Sequence, residues 1–455
     1  MARLLRFLAS IALAPGLAVP VQAVGQGASG ADLVLRNGRI FTGDKARPWA
    51  EAVAITGDRI TAVGSDATVT ATATRRTRII DLRGRFAMPG INDAHDHVGD
   101  VPFGTEAVTK RPPMADPTLA EISEAVATAA RSAPPGGWIV AQAGPAAMAN
   151  TQLAQAAITA SGGEHPVALL AWWGHGVIVN ARGLAALGLD DGVTDMPGGH
   201  YQRDASGKLT GKLEEYAGWA ALVRLHTAPG RDATVAYLRQ YATRRLAEGV
   251  TSVQIMAGYQ TPAPFMAALS AAELPLRVRA VRFPMPSRRN DGMSEWVGIG
   301  PRVSPLVRVS GVKWVLDGTP MEQLAFFTKP YPGRAGWYGR PNFSAAHLRA
   351  QLRYALTSKE PLLLHVIGDA MTGAVLEEME KLAPASQWRP LRVRIEHANG
   401  LTGPNLARAA SGDRYRAATS DIASAELDRG RHNGCLWIRH GLSALRRFRA
   451  DDRGG

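Results

Sequence analysis

Apolar and polar positions alternate with period two through "ADLVLRNGRIFTG" and "EAVAITGDRITAVG", and each run breaks at a polar turn, "RNG" and "TGDR". Such alternation buries one side of a strand, and the Gly-containing breaks reverse the chain. "TRIIDLRGRFAMPG" extends the pattern to residue 90. The prediction is a small antiparallel sheet over residues 31–88, ahead of a main domain.

Near residue 117 the period changes. "PTLAEISEAVATAARSA" and "DATVAYLRQYATRRLAEG" carry helical apolar stripes. Between and after them come short apolar runs: "GGWIVAQAG", "HPVALLAWW", "VTSVQIM", "PLRVRAVRF", "VRVSGVKWVL", "PLLLHVIG" and "LRVRIEHA". Buried strands alternating with amphipathic helices predict parallel β/α units, and this many predict a barrel over residues 89–410. "GGHYQRDASGKLTGKLEEYA" interrupts the rhythm and predicts a hairpin inserted over the barrel mouth, with His200 and Tyr201 placed to cover a substrate.

Candidate chemistry sits at the ends of the predicted strands, where β/α barrels place it. "INDAHDH" ends in His95 and His97, "PLLLH" in His365 and "RIEH" in His397, while "GVKWVLDG" carries Lys313 inside an apolar run. Period two sends His95 and His97 to one face and Asp96 to the other, so both imidazoles can converge on one ion. Neutral imidazole suits zinc and neighbouring divalent metals. Each residue alone reads as an ordinary loop histidine or a paired lysine; the combination is what points to a metal.

Composition narrows the setting. Residues 1–23 read as an export signal, with Arg3 and Arg6 ahead of "FLASIALAPGLAV" and small residues up to Ala23. A periplasmic or extracellular location follows as an expectation, with no membrane span in the mature protein. Cys435 is the single cysteine, which excludes an intramolecular disulfide and a thiolate metal cluster. Of the formal charge of +13, the leader contributes two and the residues from Ser411 onward three, leaving +8 dispersed over the body. That dispersion predicts a solvated Arg-rich surface and no nucleic-acid partner. Oligomeric state leaves no mark in the sequence.

The motifs "ADLVLRNGRIFTGD", "GDRITAVGSD", "IIDLRGRFAMPGINDAHDH", "LLLHVIGD" and "RIEHA" resemble the amidohydrolase superfamily, in particular its amidohydrolase-3 branch, from about Ala31 to about Ala410. The resemblance implies a metal-dependent hydrolase of amide-type, non-peptide C–N bonds in a small molecule. The implied fold is α/β: a distorted TIM-type barrel beside a small β-sandwich. It assigns His95 and His97 to the more buried metal, and His365 and His397 to a second metal or to a single metal's water and substrate. Lys313 falls where the superfamily often has a bridging carboxylated lysine, and the implied cofactor is one or two divalent ions, zinc first among them. "WWGHG" resembles a family segment near the substrate, so His175 would stabilise a developing oxyanion, with an ordinary loop histidine as the alternative.

The C-terminal stretch departs from this pattern. The family's last barrel strand supplies an aspartate, often in a Gly-Ser-Asp run, yet residues 411–455 show neither barrel nor sandwich periodicity. "TSDIA", with Ser420 and Asp421, lies too close to His397 to be that strand. Reading the codons from their second base, Trp437 followed by an isoleucine codon must give glycine. Permissible codons around it then yield Tyr-Gly-Ser-Asp, and those for residues 413–420 yield a plausible strand. A frameshift between residues 408 and 413 is therefore expected, leaving an incomplete barrel and an impaired enzyme. The rival is an exported, non-catalytic metal- or solute-binding protein.

Overall fold

The computed structural model describes residues 30–110, 115–287 and 291–410. The predicted leader and the tail with Ser420, Asp421 and Cys435 lie outside the described residues, and the frameshift expected between residues 408 and 413 falls across their end. The chain divides into two compact units, residues 1–90 and 91–455.

The first unit holds a four-stranded sheet ordered Arg59–Gly64, Ala52–Thr56, Ala31–Arg36, Ala73–Asp81, and a three-stranded sheet of Trp49–Ala50, Arg39–Phe41 and Phe86–Ala87. The turns predicted at "RNG" and "TGDR" place Asn37 at φ +52° and Gly57 at φ +58°. The antiparallel prediction needs correction: Ala31–Arg36 pairs in parallel with Ala73–Asp81, and Arg39–Phe41 in parallel with Phe86–Ala87. For the first pair the cause is the short helix Asp66–Thr70, capped by Ser65, which crosses over and returns the chain in the same direction. Val34, Ala52, Ala54 and Val69 are fully buried between that helix and the sheet.

The second unit carries two six-stranded sheets. One is wholly parallel and runs Ile91–His97, Val250–Ala257, Arg277–Arg282, Val307–Val315, Leu362–Val366, Arg394–His397. After the step from the first strand to the second, strand neighbours follow chain order, as in a β/α barrel. The other begins with the parallel strands Thr105–Ala107, Ile139–Ala143 and Val167–Ala171. It continues in antiparallel through Val177–Val179, Leu209–Glu215 and Gly199–Arg203. Among the described residues no ladder joins the two sheets, so the fold is an α/β barrel that remains incomplete. The predicted hairpin exists, but it pairs with Val177–Val179 and extends the sheet edge instead of standing free as a flap.

Helices fall where the apolar stripes placed them. Leu119–Ala130 starts with a capping box in which the Thr118 hydroxyl and the Glu121 carboxylate satisfy each other's backbone N–H groups. Gly230–Ala247 packs Leu238, Tyr241 and Ala242 into the core around Val250–Ala257. Gly311, at φ +84°, gives the Lys313 strand a kink that only glycine adopts cheaply; a Cβ there would sit 3.0 Å from the Pro361 carbonyl.

Candidate active site

The strand Ile91–His97 separates its side chains as period two requires. Asp96 turns outward and accepts hydrogen bonds from Tyr241 Oη at 2.7 Å and Arg245 Nη2 at 2.5 Å, both on the helix Gly230–Ala247. His95 and His97 share the opposite face, their Nε2 atoms 3.2 Å apart. The outward anchor therefore fixes the strand's rotation and holds the two imidazoles toward each other.

The parallel ladder brings the remaining predicted residues alongside. In register, His365 stands beside Glu396. His397, one residue further, would face away in a regular strand. Its φ of +68°, followed by Ala398 at +51°, breaks the alternation. Its ring lies 4.5 Å from that of His365 and 5.1 Å from that of His95, between centroids. The His175 ring continues the row, 4.8 Å from His365. Non-glycine residues in the left-handed region persist only where their surroundings hold them there.

Lys313 is also in this group, though its amine is engaged: Lys313 Nζ donates to Glu396 Oε2, with both side chains buried. Glu396 Oε1 lies 3.1 Å from His95 Nδ1. Burial would raise the Glu396 carboxyl, but Lys313 and His95 hold it well below the usual carboxylate range. For Lys313, burial pulls the ammonium down against the opposing pull of Glu396.

A second group lies at the His175 end. His175 Nδ1 is 2.9 Å from Glu215 Oε1, and Asn342 Nδ2 donates to Glu215 Oε2 at 2.9 Å. Glu322 accepts at Oε2 from Trp173 Nε1 at 2.7 Å and from the Thr319 hydroxyl at 2.6 Å. Ligating atoms of His175, Glu215 and Glu322 all lie within 4.8 Å of one another. Burial works against protonation of His175, but Glu215 outweighs it and raises the imidazole above its usual range. Burial pushes the Glu322 carboxyl up to about 7. Asp317, fully buried, clips this region together. It accepts from the backbone N–H groups of Ile367 (2.9 Å), Gly368 (2.8 Å) and Phe326 (3.0 Å), tying the loop that carries Glu322 to the strand of His365.

The structure gathers His95, His97, Lys313, His365, His397 and His175, and separates the two hairpin residues. His200 lines a cavity of about 460 Å³ that also exposes Glu322, with its Nδ1 2.6 Å from Asp195 Oδ2. Tyr201 is 8% exposed and belongs to the hydrophobic core, its hydroxyl against Met196 Sδ at 3.9 Å. Neighbouring residues on one strand point to opposite faces, so only one of the pair can face the cavity. Glu215, Glu322, Glu396 and Asp317 are absent from the sequence-predicted set. Glu396 stands inside "RIEH", one position from a predicted ligand, where period two would turn it to the opposite face. Glu215 ends a strand at φ +52°, and Glu322 sits in a Gly/Pro loop, where periodicity says nothing.

Among the described residues, the group of three whose ligating atoms approach closely enough for a divalent cation is His175, Glu215 and Glu322, while the rings of the predicted ligands His95, His97, His365 and His397 stand in a row beside it. His365 is 2% exposed, and its Nε2 has no hydrogen-bond partner among the described residues. Leaving a buried polar nitrogen unpaired costs about 1–3 kcal/mol, and metal coordination removes that cost. Imidazole nitrogens such as this one, and the facing Nε2 atoms of His95 and His97, are donors of the kind that borderline divalent metals take.

The sequence model of the Amidohydrolase family matches residues 78–414. The chain belongs to the amidohydrolase family. Among curated relatives, it is 27% identical to Protein LONG AFTER FAR-RED 3 of Arabidopsis thaliana over 401 residues, 82% of this chain and 65% of that protein. It is 30% identical to the N-substituted formamide deformylase of Arthrobacter pascens over 212 residues, 44% of this chain and 36% of the relative. The chain thus spans less than two thirds of either relative's length. Among solved structures, an uncharacterized metal-dependent hydrolase from Pyrococcus horikoshii OT3 superposes with a TM-score of 0.54 at 19% identity, covering 80% of this chain and 74% of that one. A counterpart from Pyrococcus furiosus gives 0.53 at 20% identity, covering 80% and 76%. These likenesses bear on the fold.

Proposed function

We propose that this amidohydrolase is a metal-dependent hydrolase of amide-type C–N bonds in a small molecule, with zinc as its resident ion. The observation that carries the reading is the unbroken row His97, His95, His397, His365, His175, which contains an unpartnered buried nitrogen and ends at a carboxylate pair. The formamide deformylase likeness favours N-substituted formamides as the first substrates to try.

His95, His97, His365 and His397 would hold the metal, which supplies Lewis-acid polarisation of the carbonyl and acidification of water. His175, kept in orientation by Glu215, would donate a hydrogen bond to the negative charge developing on the carbonyl oxygen. Glu322, at the cavity wall, would carry the proton toward the leaving nitrogen. Lys313 in its carboxylated form belongs to the same reading. A carbamate is anionic, so the present pairing with Glu396 would have to give way to a cation shared between them.

The reading also includes export of the chain after removal of residues 1–23, and a tail from residue 411 that is out of frame. Loss of the family's aspartate would lower the rate by roughly 10²–10⁴. The test is to resequence the gene across codons 400–455 and purify both the given chain and any frame-repaired form. Bound metal and turnover of N-substituted formamides are then measured. Stoichiometric zinc and faster turnover in the repaired form are expected. Metal without turnover in the repaired form would replace this reading with that of a non-catalytic metal- or solute-binding protein.

A further inference from the structure

The cavity of about 460 Å³ beside Glu322 has an uneven charge lining: the cations Lys212, Arg334 and Arg340 against the acids Glu214 and Glu322. Glu214 is shared, 3.3 Å from Lys212 Nζ and 2.5 Å from Arg340 Nη2, so one carboxylate answers two cations. Lys212 also donates to the Met148 carbonyl at 3.1 Å. Glu322 is turned to Trp173 and Thr319. Arg334 has no acidic partner among the described residues. Its Nη1 donates to the neutral Gln323 Oε1 at 3.1 Å, and its guanidinium lies over the Trp337 ring, 4.8 Å from the centroid. Trp337 is itself fixed, its Nε1 donating to the Gln323 carbonyl at 2.7 Å. The stacking holds the guanidinium plane in place while leaving most of its N–H fork uncommitted.

We infer that the cavity selects an amide whose non-reacting end carries a carboxylate, received by the Arg334 guanidinium while the amide lies toward Glu322. A planar guanidinium matches a carboxylate with two parallel N–H···O bonds, and stacking on an indole reduces the freedom lost when those bonds form. Lys212 and Arg340, already bound to Glu214, set the sign of the surrounding field. This inference rests on the proposed hydrolase reading for the position of the amide, but its test reads binding alone.

The test titrates the full chain by calorimetry with 4-formamidobenzoate, with neutral 4-formamidobenzamide, and with 4-formamidobenzenesulfonate. Tighter binding of the benzoate than the benzamide by about 10-fold is expected, as for a charge-assisted hydrogen bond. Arg334→Gln should reduce that advantage to about 2-fold or less without weakening the benzamide, and Arg334→Lys should restore part of it. Arg334 is exposed, so neither substitution disturbs the core, and far-ultraviolet dichroism checks this. A sulfonate that matches the benzoate would overturn planar carboxylate recognition. Equal affinity for benzoate and benzamide, binding of neither, or an undiminished advantage in Arg334→Gln would overturn the inference as a whole. Selective binding by the full chain, with no turnover in the frame-repaired form, upholds it while counting against the hydrolase reading.

Discussion

Lys313 and Glu396 form a buried ion pair across a strand that separates them: Val307–Val315 and Arg394–His397 are not neighbours, and Leu362–Val366, bearing His365, lies between. The pair therefore spans the strand of the unpartnered imidazole. Removing Glu396 strands the Lys313 ammonium in the core, whereas Glu396 without Lys313 keeps Arg394 and His95 beside it, and replacing both members removes the desolvation cost as well. Glu396→Gln alone should destabilise the chain by about 3–5 kcal/mol, Lys313→Met by less because Arg394 and His95 still answer Glu396, and Lys313→Met with Glu396→Leu should recover most of the Glu396→Gln loss. Urea denaturation of the three variants closes the cycle. Additive losses in the double variant would show that the pair does not act as a unit.

That pair also marks the boundary of what was legible in the sequence. The strand-end histidines were readable because barrel topology places chemistry at the C-terminal ends of strands, and period two decides which face each residue takes. Lys313 was legible as a polar residue in an apolar run; its partner Glu396 was not, because register, which sets His365 beside Glu396, emerges only when strands pair. The Glu215 and Glu322 carboxylates come from a strand-to-helix junction and a loop, positions fixed by positive φ and by Asp317's three backbone hydrogen bonds. The parallel pairings of the first unit were missed for a related reason, since strand alternation looks the same in either direction.

Metal addition should stabilise the second unit. A ligand that binds only the folded state adds about 2.7 kcal/mol at one hundred times its Kd. Zinc titrated into chelator-treated protein should raise the thermal midpoint, and His365→Asn should abolish most of the rise, because its Nε2 is the buried nitrogen left without a partner. His200→Asn, on the cavity wall and paired with Asp195, should leave the rise intact. Zinc-independent melting of the parent chain would count against the histidine row as a metal site.

Protonation of His226 gives a pH signature separate from the metal. Its Nδ1 lies 2.7 Å from the Val101 carbonyl, and its ring packs edge-on against Phe103 and Tyr259. Burial holds it below the usual histidine range, against the opposing pulls of the Val101 carbonyl and Asp100. The folded state therefore takes up the proton at lower pH than the unfolded state, which binds more protons in between. Stability is complete above the unfolded value of about 6.5 and declines as pH falls through and below it, by up to about 1.4 kcal/mol per unit. His226→Gln should be less stable at pH 7.5 yet show a shallower decline between pH 7 and 5. Identical slopes in parent and variant would remove His226 from the account.

Glu322 separates proton handling from architecture. Its carboxylate accepts at Oε2 from Trp173 and the Thr319 hydroxyl and at Oε1 from the Thr319 backbone N–H, so a neutral amide oxygen can keep the first two bonds while the amide NH2 loses the third. Glu322→Gln should therefore fold at the cost of one hydrogen bond, about 0.5–1.5 kcal/mol, while losing the ability to carry a proton. Removing a general acid or base typically lowers the rate by roughly 10²–10⁴. In the form of the enzyme that turns over N-substituted formamides, kcat should fall by that order with KM changed little. Glu322→Asp should be intermediate, retaining the proton but shortening the reach toward the cavity. An activity loss accompanied by an equal loss of thermal stability would assign Glu322 to the Thr319 loop's architecture instead. A variant as active as the parent would move the proton transfer to His175, whose Glu215 partner then becomes the residue to replace.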